Sequence, residues 1–274
     1  MRDGWLGAED GVRLYWRAWG PADANRPPVV LVHGAAEHGG RYAHVAARLA
    51  DAGHPVYACD HRGHGRSDGP RAVIGRMDTL VADLALFVAR VREEHDGARP
   101  FMVGHSLGGA IALTYATRHR DTIRGLVLSG PAVATEAVNP ALKATVAVLS
   151  AVAPRLPVFK IEDDAVSRDP QVVRDYQLDP LNHPGKLPAR TLGEMLRTMD
   201  AMPDRVVGLR SPLLLLHGAE DRLCPPAGSE MVHARAASSD KTLKIYPGLY
   251  HEVFNEPERG QVLDDLVEWI GARA

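Results

Sequence analysis

The chain has 274 residues, 45% of them hydrophobic, which suits one large globular unit able to bury a substantial core. Its 32 basic and 34 acidic residues leave a net charge of −2 with no long run of either sign, which argues against nucleic acid as a partner and against electrostatic adsorption to anionic membranes. Cys59 and Cys224 lack metal-type spacing and read as unpaired thiols in a reducing compartment; no secretory h-region and no apolar run of roughly 20 residues is present, so the expectation is a cytoplasmic protein whose membrane contact is peripheral.

In chain order, residues 12–19 alternate polar and apolar side chains, as a half-exposed antiparallel strand does. Apolar runs bounded by proline or glycine follow at 28–33, 55–60, 100–104, 123–128 and 212–217, and each reads as a buried strand. A last strand is expected at 242–246 and a C-terminal helix at 261–270. Helical patterns separate these runs, so the fold class is α/β with a doubly wound, mostly parallel sheet. The alternation breaks at 131–210, where prolines punctuate short helical patterns. This segment is expected to be a helical cap, or lid, inserted after the sixth core strand, with 1–130 and 211–274 forming the core domain. Its apolar run 141–153 is too short to span a bilayer. It reads either as a helix packed on the core or as a lid whose apolar face lines a lipid pocket or touches an interface.

Gly104-His-Ser-Leu-Gly108 matches G-x-S-x-G, with an apolar strand leading in and the helix-compatible run 110–116 leading out. A tight strand-to-helix turn of that kind lifts a serine hydroxyl above the sheet, which makes Ser106 a candidate nucleophile. A serine needs a positioned base, and in this arrangement the acid and then the histidine follow it in the chain. Asp221 lies just beyond the carboxyl end of a buried strand, where active-site loops gather, and the adjacent Glu220 would point elsewhere. His233 falls in a helical run and reads as a solvated or packing residue. His251, in the turn before the last helix, reads as the base. The oxyanion would be met by the backbone N–H of Leu107 and by a second N–H from the loop 33–38, with Ala35 the choice. His61 and His64 in Asp60-His-Arg-Gly-His-Gly-Arg-Ser67 invite a metal reading, but the glycines and Arg62 suit a structural turn and no H-E-x-x-H spacing is present. No metal and no cofactor are expected.

These residues together resemble the monoacylglycerol lipases. The likeness rests on His33-Gly-Ala-Ala-Glu-His-Gly-Gly-Arg-Tyr42, Asp60-His-Arg-Gly-His-Gly-Arg-Ser67, Gly104-His-Ser-Leu-Gly-Gly109, Ser167-Arg-Asp-Pro170, Tyr176-Gln-Leu-Asp-Pro180 and Asp221-Arg-Leu-Cys224. The stretch from Tyr246 to Glu258 is especially like the actinobacterial members. The resemblance implies the α/β-hydrolase fold, an eight-stranded sheet, and hydrolysis of a monoacylglycerol to glycerol and fatty acid. It carries the triad onto Ser106, Asp221 and His251 and the oxyanion donors onto Ala35 and Leu107. It also implies that Glu37, Arg41 and Tyr176 lie near the pocket for the glycerol end, although an ion pair and a packed tyrosine are the plainer reading of those three. Leu107 stands where many members have Met, and Phe254 where mammalian members have a second His. A general carboxylesterase or lysophospholipase on the same triad is the enzymatic alternative, and a ligand-binding protein on a degenerate hydrolase fold is the alternative of another class. Dehalogenases and epoxide hydrolases place a carboxylate where Ser106 stands.

Overall fold

The computed structural model describes residues 1–21, 25–134 and 138–274. Before the insertion the strands are β1 (Arg2–Gly7), β2 (Arg13–Trp19), β3 (Val29–Val32), β4 (Val56–Cys59), β5 (Phe101–His105) and β6 (Gly125–Ser129). Helices α1 (Ala43–Asp51), α2 (Met77–Glu94) and α3 (Leu107–Arg118) connect them. The strand β1 is unexpected from the pattern: it is a half-exposed edge strand paired antiparallel with β2, so it needs no apolar run.

The insertion contains α4 (Pro140–Val152), a strand β7 (Pro157–Lys160), α5 (Pro170–Leu178), a strand β8 (Lys186–Pro188), α6 (Ala189–Asp200) and α7 (Met202–Val206). It is not wholly helical, which corrects the expectation from sequence. β7 and β8 form their own antiparallel pair; they have only four and three residues, β7 mostly exposed and β8 with Leu187 and Pro188 buried, and with lysine and proline among them they show neither alternation nor an apolar run. Residues 135–137 of the expected cap, and 22–24 of the expected core, lie outside the described residues. The chain then returns with β9 (Leu213–Gly218), α8 (Ala227–Arg235), β10 (Lys241–Tyr246) and α9 (Arg259–Gly271).

Eight strands form one sheet in the order β1-β2-β4-β3-β5-β6-β9-β10, antiparallel at β1-β2-β4 and parallel from β4 onward. The central strands are buried on both faces, which is why they read as continuous apolar runs. Alternate side chains supply two cores. Val30, Val32, Met102, Leu126, Leu128, Leu213 and Leu215 face α2 and α3, while Val29, Leu31, Phe101, Val103, Val127, Leu214 and Leu216 face α1 and α9.

The insertion lies over the carboxyl ends of the parallel strands through named contacts. His183 N–H donates to Ala36 O at 2.8 Å, Met77 N–H donates to Glu194 Oε2 at 3.0 Å, and His38 Nε2 lies 2.9 Å from Asp179 Oδ2. Helix α4, capped by Asn139 Oδ1 accepting from Ala141 N–H, packs against α6 rather than on the core sheet. Its apolar face is left in solvent, with Val148 61% and Val152 73% exposed.

Candidate active site

Ser106 sits between β5 and α3 with φ 52° and ψ −121°, a conformation that costs a non-glycine residue about 1–3 kcal/mol unless its surroundings impose it. They do. Ser106 N–H donates to Ser129 O at 3.0 Å, while Ser106 O accepts from Ala132 N–H at 3.0 Å and Ala110 N–H at 3.2 Å. Gly108 lets α3 start hard against the end of β3, since a Cβ there would run into the carbonyl oxygens of Val32 and His33. Gly34, on the loop after β3, would bring a Cβ to 3.2 Å from that of Ser106. The loop after β3 therefore runs close against the serine.

Asp221 follows β9 and is buried. Its Oδ1 accepts from the N–H groups of Leu223 and Cys224, both at 2.9 Å, and its Oδ2 lies 2.7 Å from His251 Nδ1 and 3.1 Å from His217 Nε2. Burial opposes its charge, but the charge on His251 and the hydrogen bonds from both imidazoles and the backbone hold it well below the ordinary carboxylate range. His251, in the loop after β10, feels the reverse balance: burial lowers its basicity, while Asp221, Glu252 and Glu37 raise it further, so the net shift is upward. Its ring stands 4.6 Å from that of His105, which burial and His251 itself push down to about 3, so His105 is neutral.

Ser106 and His251 line one narrow cavity of about 80 Å³ with Gly34 and Ala35. Phe159, Ile161, Leu187, Leu192 and Met195 of the insertion face the same space, and Glu37, Tyr176 and Glu252 supply its polar part. Among the described residues no carbonyl accepts from the N–H of Ala35 or of Leu107, the latter at the first position of α3. Glu37 Oε1 accepts from Gly34 N–H at 2.5 Å and Tyr42 O–H at 2.7 Å, and its Oε2 accepts from Arg41 Nη1 at 2.6 Å. Arg41 does not line the cavity. Its guanidinium forks onto Glu252 at 2.7 and 2.8 Å and lies 5.1 Å from the ring centroid of Tyr176, so it works as an ion-pair clamp behind the wall.

A strained serine packed close to a small-residue loop, sharing a cavity with a histidine that a buried aspartate holds from behind, is the arrangement of a serine hydrolase. A family profile described as "Serine aminopeptidase, S33" matches residues 23–258. The chain is 48% identical to a monoacylglycerol lipase of Mycolicibacterium smegmatis, over 95% of this chain and 93% of that protein. It is 35% identical to the human monoglyceride lipase, over 96% of this chain and 88% of the other. Its fold is also that of the crystallised monoacylglycerol lipase of Paleococcus ferrophilus, with a TM-score of 0.85 and 32% identity over 95% of this chain and 99% of that one. The chain belongs to the monoacylglycerol lipase family. It is a carboxylic-ester hydrolase of the α/β-hydrolase fold.

Of the remaining residues singled out in the sequence, Glu220 is exposed, and His233 sits in the last turn of α8 outside the cavity. His61 Nε2–H donates to His33 O at 3.0 Å and His61 N–H donates to His33 Nε2 at 2.9 Å, so this pair ties the turn after β4 to the loop after β3. Among the described residues no group of three or more His, Cys, Asp or Glu is arranged to hold a metal ion. Cys224 borders the cavity, and burial pushes its thiol well up. Sequence reasoning missed Glu252 and His217. Each carried a positional signal, one beside the candidate base and the other at the carboxyl end of the strand leading to Asp221.

Proposed function

We propose that this chain hydrolyses monoacylglycerols to glycerol and a fatty acid through an acyl-enzyme on Ser106. The observation that carries this reading is the single cavity shared by Ser106, His251, the apolar side chains of the insertion and a small polar end at Glu37 and Tyr176. His251 takes the Ser106 proton as the oxygen attacks the ester carbonyl, and Asp221 keeps the ring oriented and stabilises the imidazolium. The tetrahedral oxyanion accepts from the N–H groups of Ala35 and Leu107. Collapse breaks the ester bond, and His251 returns the proton to the departing glycerol oxygen. Water, deprotonated by His251, then attacks the acyl-serine and releases the fatty acid.

At about 80 Å³ the cavity is far smaller than the ~300–1,000 Å³ of small-molecule sites, so a long acyl chain enters only if its roof shifts. This supports residues 131–210 as a cap that moves over a core of 1–130 and 211–274. The exposed Leu142, Val148 and Val152 of α4, with Leu156 and Phe159 beyond it, favour peripheral contact with lipid at the mouth. Among the described residues no helix is long and apolar enough to cross a membrane.

The test is a hydrolysis panel of monoacylglycerols, diacylglycerols, lysophospholipids and short nitrophenyl esters, run with wild type and Ser106→Ala. The expected result is fast turnover of monoacylglycerol, a steep fall to diacylglycerol, and loss of turnover and fluorophosphonate labelling in Ser106→Ala. Equal rates on lysophospholipid and monoacylglycerol would overturn the substrate assignment, and an active Ser106→Ala the mechanism.

A further inference from the structure

The acid of the candidate triad serves two imidazoles. Asp221 Oδ2 faces His251 Nδ1 at 2.7 Å and His217 Nε2 at 3.1 Å, and both rings are buried. His217 ends up there because it is one of the last residues of β9, while Asp221 lies four residues on, after the turn. Nε2 faces two acceptors, Cys224 O at 2.7 Å and Asp221 Oδ2, so it carries a proton that they share, and on the other side Nδ1 lies 2.7 Å from Ser229 Oγ on α8. With both nitrogens engaged, His217 is not free to exchange a proton with substrate, and it does not line the cavity.

We propose that His217 is a positioning residue: it holds Asp221 Oδ2 in line with His251 and, by sharing that oxygen, limits how strongly the carboxylate stabilises protonated His251. The inference rests on the reading of Ser106, His251 and Asp221 as the working triad. A hydrogen bond donated to a carboxylate delocalises its charge and leaves less of it for a second partner. Without that donor, Asp221 would attract the imidazolium of His251 more strongly, and the base would hold its proton to higher pH. The other groups facing His251 are Asp221 from the β9 loop, Glu37 from the β3 loop, Glu252 from its own loop and His105 from the end of β5, with Arg41 behind the glutamates. Among the described residues, of these groups only Asp221 touches His217, so a substitution there acts on His251 through Asp221 and leaves the others in place.

The experiment measures kcat/KM for a monoacylglycerol between pH 5 and 9, with active sites counted by fluorophosphonate titration so that misfolded protein does not enter the rate. In His217→Leu the acid limb is expected to move up by about half to one pH unit, with a several-fold fall in kcat. In His217→Gln, whose amide can still donate to Asp221, the limb is expected to return toward the wild-type position. Should His217→Leu fail to fold, Ser229→Ala, which removes the partner of Nδ1 and so loosens the ring's hold on Asp221, is expected to give a smaller shift of the same sign. A limb that stays put or moves down while kcat falls means that His217 is only structural, and overturns the proposal. Ser106→Ala separates the two levels: if it stays active the triad reading fails and this inference with it, whereas an inactive Ser106→Ala beside an unmoved limb removes this inference alone.

Discussion

Arg41→Met is the sharpest test of how the candidate site is held together. The guanidinium is nearly buried between two carboxylates, its side chain 11% exposed against 3% for Glu37 and 6% for Glu252. Methionine keeps most of the stem but removes the charge and four to five donors. Among the described residues Glu37 would keep Gly34 N–H and Tyr42 O–H, whereas the Glu252 carboxylate would keep only Asn255 Nδ2 at 2.8 Å. The penalty therefore falls mainly on Glu252, and removing one partner of a buried pair costs about 3–5 kcal/mol. The pH dependence follows from the sign of its shift. In wild type, burial works against the Glu252 charge, but Arg41 overcomes it and holds the group down at about 2. Its contribution is thus fully present above the unfolded value of roughly 4.3 and is lost as pH falls toward the folded one. In the variant the buried carboxyl is raised instead, so stability is lost as pH rises above roughly 4.3. Urea denaturation at pH 7 and pH 4.5 is expected to give a deficit near the full figure at pH 7 and a clearly smaller one at pH 4.5. A deficit below about 1 kcal/mol at pH 7, or one equal at both values, would refute the reasoning.

Ser106→Gly should abolish turnover while raising Tm by roughly 2–4 °C in calorimetry, because glycine relieves the positive φ and recovers about 1 kcal/mol net of its extra unfolded-state freedom; a lower Tm would mean the turn is not strained. Gly108→Ala should cost about 3 kcal/mol or more, since its Cβ meets backbone carbonyls of Val32 and His33 rather than movable side chains, and a soluble variant with unchanged Tm would contradict this. The acid limb of wild-type kcat/KM should lie above pH 6.5: the base works neutral, and the Asp221 charge raises His251 against the opposing effect of its burial. A limb below pH 6.5 would show that burial wins.

Much of the molecule was written in local pattern. Central strands buried on both faces must be apolar throughout, so β3, β5, β6 and β9 announced themselves as Pro- or Gly-bounded runs, and the α/β class followed from their alternation with helices. Ser106 was legible for a similar reason: a strained strand–helix turn needs Gly104 and Gly108 within two residues of the serine, and that spacing is covalent. Asp221 and His251 could be picked out as candidates along the chain because each follows a recognisable strand. Strands that bury little, β1 at the sheet edge and β7 in the insertion, left no such trace, nor did β8, whose three residues are too few to form a run.

Tertiary structure alone decided what couples these pieces. Arg41 and Glu252 are 211 residues apart, and neither charge pattern nor spacing could pair them before the loops after β3 and β10 were brought side by side. The same holds for the roof, where Phe159, Leu187 and Met195 face Ser106 only because the insertion folds back over the strand ends. Helix α4 is the reverse case, since its sequence allowed burial on the core and its packing on α6 left that apolar face to solvent. Local sequence sets which groups are present and how each turn is built. Long-range packing sets which charges are desolvated together, and that is what raises His251, lowers Asp221 and closes the cavity around Ser106.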